Sequence, residues 1–116
     1  MAGRKANALN VGTMALWADD LQGERVEGVV VGLSLGSWEF RELMATPKTG
    51  KPRKPLATAR IYVENVAATK ASLAAGIAVA EGQRLARRLA MLPGNICTPS
   101  YLAESAQDIA KRHGMK

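Results

Sequence analysis

From Val66 to Leu92 the chain contains no proline, is dominated by alanine, and repeats Leu73, Ile77, Leu85, Leu89 and Leu92 at near-helical spacing. Alanine loses no side-chain entropy on entering a helix, and Lys70, Glu81, Arg84 and Arg88 fall largely off the apolar stripe. The run therefore predicts one long helix, with Gly82 as the place for a break. Pro93-Gly94 stops it. Thr98 then supplies a cap and Pro99 the first position of a further helix, whose buried face would be Leu102, Ala106, Ile109 and Ala110. Lys111 and Arg112 suit the negative end of its dipole, and Gly114 is a natural stop.

Upstream, the polar stretch Arg4 to Asn10 reads as the end of a helix. Val11 to Trp17 and Ala57 to Val63 alternate and are apolar enough for two strands. Between them, Leu21 to Gly36 is ambiguous. Val29-Val30-Val31 favours a strand, whereas Gly28, Gly32 and Gly36 fall every fourth residue on one helical face. A helix is expected there, its glycine face approaching a sheet closely. The order strand, helix, strand, helix, helix is α/β. Two strands make a poor sheet, and an apolar helix closes the sequence without an evident packing partner, so the expectation is an incomplete fragment of a larger protein.

Composition limits what such a chain can do. With 116 residues, 47% hydrophobic but only 4% aromatic, the core must be small and built from Ala, Leu and Val. One cysteine excludes a disulfide scaffold. No apolar run approaches the ~18 residues of a membrane span, and Met1-Ala-Gly-Arg-Lys5 lacks the apolar stretch of a signal peptide, which makes a cytoplasmic location the expectation. The net charge of +6 is concentrated, because residues 43–63 carry five basic groups and no acidic one. Within them Thr46 to Pro55 holds three prolines and a glycine beside Lys48, Lys51, Arg53 and Lys54, the composition of an exposed loop 46–55. A phosphate-binding strip is the alternative. Nucleic acid is disfavoured as a partner, since no aromatic lies inside the loop and neither a basic helix nor a β-platform accompanies it.

Chemistry is scarce in these residues. Cys97 is the sole thiol and His113 the sole imidazole, with a predicted helix of about 22 Å between them at 1.5 Å per residue. Cys97 reads as a packing residue and His113 as a helix terminus. A Cys/His zinc site is excluded by count. Asp19 and Asp20 are neighbours in a predicted turn and point apart. Glu104 and Asp108 share a face, with Lys111 completing an ordinary surface ion-pair pattern. The glycines miss the G-x-G-x-x-G spacing, and no phosphate loop or G-x-S-x-G elbow occurs.

Two stretches nevertheless form a recognisable pattern. Ala80-Glu81-Gly82-Gln83-Arg84-Leu85-Ala86-Arg87-Arg88-Leu89, followed by Leu92-Pro93-Gly94-Asn95-Ile96-Cys97-Thr98-Pro99-Ser100-Tyr101-Leu102-Ala103, resembles the interdomain region of the leucyl (cytosol) aminopeptidase family. Glu27-Gly28 with Leu35-Gly36-Ser37-Trp38-Glu39-Phe40 resembles a segment near the end of that family's N-terminal domain. Trp38 stands where Tyr is usual, Arg88 where Asp or Gln is commoner, Met91 where a polar residue often sits, and Gly94 where Ala is usual. These differences concern packing and turns.

The resemblance implies three parts. Residues 1–64 would end a mixed α/β N-terminal domain, 65–92 would form an interdomain helix, and 93–116 would open an α/β catalytic domain. It also implies a full-length metallopeptidase that removes N-terminal residues from peptides, with two divalent ions (Mn²⁺ or Zn²⁺, or Mg²⁺) held by Asp, Glu and Lys of the catalytic domain, usually in a homo-hexamer. The motifs carrying those ligands have no counterpart in residues 1–116. Catalytic, cofactor-binding and metal-binding residues are accordingly all expected to be none, and the chain alone to be inactive. The alternatives are a small basic module that uses loop 46–55 to bind nucleic acid or an acidic protein, and a truncated pseudoenzyme that docks onto intact subunits.

Overall fold

The computed structural model describes residues 2–44 and 55–115, and the predicted basic loop lies outside them except for Pro55. Six elements follow in order: α1 Ala2–Ala8, β1 Thr13–Trp17, α2 Glu24–Ser37, β2 Thr58–Tyr62, α3 Val66–Met91 and α4 Pro99–His113. The architecture is mixed α/β, as the sequence pattern requires.

β1 and β2 pair in parallel, Thr13 opposite Thr58 and Trp17 opposite Tyr62, with α2 in the connection between them. Parallel neighbours need such a crossover, and this one forms a β-α-β unit. Both predicted strands are shorter than their apolar runs. At the start Gly12 does not pair within the ladder but accepts from the amides of Ala57 and Thr58 at 2.9 and 3.1 Å; at the end Ala18 donates to the Tyr62 carbonyl at 3.0 Å. Met14, Leu16 and Ile61 are half-buried, while Thr13, Ala15, Trp17, Thr58, Arg60 and Tyr62 are exposed. The two-residue period thus separates a covered face from an open one along β1, whereas in β2 only Ile61 is covered and Ala59, on the same face, is exposed.

Glycines set the approach of the helices. A Cβ on Gly3 of α1 would lie 2.8 Å from the Leu33 carbonyl oxygen and the Ser37 nitrogen of α2, so only glycine permits this crossing. The expected Gly28-Gly32-Gly36 face is used differently from the prediction. Gly36 faces α1 rather than a sheet, and a Cβ added at Gly28 or Gly32 would meet nothing within 4 Å. α2 instead buries Val26 and Val30. Valines at that spacing lie on one side of the helix, and burying them turns the other two glycines to solvent.

α3 runs from Val66 to Met91 without the break anticipated at Gly82. Gly82 faces open space, and its cost in a helix, about 1 kcal/mol, is too small to interrupt one of this length. Asn65 caps it, its Oδ1 accepting from the Ala68 amide at 3.0 Å. The fully buried residues of α3 are Thr69, Gly76 and Ala80; of the predicted stripe, Leu73 and Ile77 are 39% and 45% exposed, Leu85 and Leu89 are half-buried, and Leu92, just past the helix, is buried. The reason is close approach. A Cβ on Gly76 would be 3.0 Å from Val30 Cβ and 3.1 Å from Glu27 Cα, so a glycine makes this contact with α2. The buried Thr69 hydroxyl is satisfied by the Val66 carbonyl at 3.0 Å.

The chain divides into two compact units, Met1–Arg84 and Leu85–Lys116, with the division inside α3. In the second unit, Leu92 is buried where α3 ends, and the amides of Ile96 and Cys97 both donate to the Pro93 carbonyl at 2.9 Å. Thr98 Oγ1 accepts from the Tyr101 amide at 3.3 Å and Pro99 follows it, so α4 begins where predicted. Gly114 ends it in the left-handed region at φ 63°, donating to the Ala110 carbonyl. The expected inner face is only half met: Ile109 and Ala110 are half-buried together with Tyr101 and Ser105, whereas Leu102 and Ala106 are exposed. The face four and eight residues from Tyr101 has turned inward, one position round from the leucine. Among the described residues no helix is long and apolar enough to cross a membrane.

Candidate functional site

The most organised polar centre is Asn7, which is buried on α1. Its Nδ2 donates to the Ser37 carbonyl at 2.7 Å and to Glu39 Oε1 at 3.2 Å, and its Oδ1 accepts from the Leu56 amide at 3.2 Å. The other oxygen of Glu39 accepts from Arg41 Nε at 2.9 Å and Nη2 at 2.6 Å. One side chain therefore joins the end of α1, the exit of α2 and the approach to β2. Trp38 and Phe40 flank Glu39 with ring centres 6.4 Å apart. The Leu35-Gly36-Ser37-Trp38-Glu39-Phe40 motif is thus a packing and hydrogen-bonding junction.

Nothing in the sequence singled out Asn7. It lies in a short polar stretch whose only local message is a helix end, and its partners are 30, 32 and 49 residues away. Sequence reasoning also passed over the aromatic pair across the strands. Trp17 and Tyr62 stack with ring centres 4.7 Å apart and planes within 11°.

The residues with chemical potential are not gathered into a site. Cys97 is a half-buried free thiol before α4, and His113 is exposed in the last turn of that helix, fifteen residues long. Asp19, Asp20, Glu104 and Asp108 are all exposed. A shallow open groove in the first unit is lined by Glu24, Glu27, Gly28, Val31 and Val79, with two carboxylates and no third ligand.

Similarity to known proteins decides what such a scaffold belongs to. The chain is 41% identical over 91 residues to the probable cytosol aminopeptidase of Alkalilimnicola ehrlichii, a match covering 76% of the chain and 18% of that relative. It is 33% identical over 91 residues to the probable cytosol aminopeptidases of Burkholderia mallei and Burkholderia pseudomallei, covering 78% of the chain and 18% of each relative. Over the matched stretch the chain is similar to cytosol aminopeptidases. It spans about a fifth of the length of the curated relatives it matches, 18% in each case. No family model matches it.

The two divalent ions that the resemblance implies would need a cluster of acidic ligands. Among the described residues no group of three or more His, Cys, Asp or Glu side chains is placed to hold a metal ion.

Proposed function

We propose that the chain is the junction of a cytosol aminopeptidase, with residues 1–64 completing its N-terminal domain, 65–92 linking the domains and 93–116 opening the catalytic domain. The whole protein then releases N-terminal amino acids from peptides by metal-dependent hydrolysis, in the cytoplasm and as a homo-hexamer, with Mn²⁺ or Zn²⁺ bound outside these residues. The observation that carries this reading is the 41% identity to a relative of which the chain spans 18%. In the junction, the contribution of this chain is mechanical. Asn7 and the glycine contacts hold α1, α2 and α3 together, and the segment from Pro93 to Thr98 separates two capped helices.

The same reading makes residues 1–116 inactive alone. It is supported by the acidic inventory, three Asp and seven Glu without a ligand cluster among the described residues. Purified 1–116 incubated with Mn²⁺ and leucine amide should release no leucine above the protein-free rate. Turnover that disappears on chelation and returns with Mn²⁺ would overturn the assignment of the metal site to other residues.

A further inference from the structure

We draw no further inference here: the strongest candidate, the exposed Trp17–Tyr62 stack on the open face of the β1–β2 pair, carries nothing because no feature of the structure shows what covers it.

Discussion

The Asn7 side-chain amide donates to the Ser37 carbonyl at 2.7 Å, tying the helix that opens the chain to the end of α2 thirty residues later. Ser37 lies in the family-like motif, so the sequence pattern and the tertiary contact meet at one carbonyl. The motif is held in place by a residue outside it.

Replacing Asn7 with Ala removes two donors and one acceptor from a buried position and leaves the Leu56 amide without that partner. The expected loss is about 1–3 kcal/mol. Asn7→Asp should cost more, because a carboxylate faces the Ser37 carbonyl and the Glu39 carboxylate. Urea titrations of the three proteins, followed by circular dichroism, give the ranking; an Asp variant as stable as wild type would contradict the donor assignment.

Two glycines on α3 should respond in opposite directions. Gly76→Ala places a methyl 3.0–3.1 Å from Val30 Cβ and the Glu27 backbone, an overpacking that costs about 1–3 kcal/mol. Gly82→Ala meets nothing and gains up to ~1 kcal/mol of helix propensity. Thermal unfolding midpoints should therefore fall for the first and rise for the second.

The ends of α4 provide a local test. Thr98→Ala loses the cap to the Tyr101 amide and should cost about 1 kcal/mol, whereas Thr98→Asp retains an acceptor. Gly114→Ala forces a Cβ into the left-handed region, with a penalty of about 1 kcal/mol. Both alanine variants should fray the helix, seen as faster amide exchange confined to its ends.

Trp17 is 69% exposed and Tyr62 43%, so the stacked pair should report solvent contact directly. In a Trp38→Phe background, Trp17 emission should be red-shifted and readily quenched by acrylamide. Tyr62→Ala should expose the indole further and increase quenching. Ring pairs of this kind contribute about 0.5–1.5 kcal/mol beyond buried area, and that pairing term is the stability at issue. Unchanged quenching would show that the rings do not cover one another in solution.

Local signals were the most legible. The proline-free alanine run, the Pro93-Gly94 stop, Thr98-Pro99 and Gly114 determined α3, the break after it and α4, because helix propensity and capping act over one or two turns. The alternating runs located both strands, although pairing through the Gly12 carbonyl trimmed them. The short inventory of Cys, His and Asp likewise gave the expectation that these residues carry no metal site, since ligands must be present before they can be arranged. What only the tertiary structure decided was which side of each helix turns inward and which polar group ties the elements together. Gly76 instead of Leu73 or Ile77, Gly36 against α1 instead of a sheet, and Asn7 bound to residues 30–49 positions away all depend on backbone separations across space. A hydrophobic period records that a helix has an apolar stripe. It does not record how near the next helix comes, and where a Cβ at position 76 would sit 3.0 Å from Val30 Cβ that approach favours glycine over leucine.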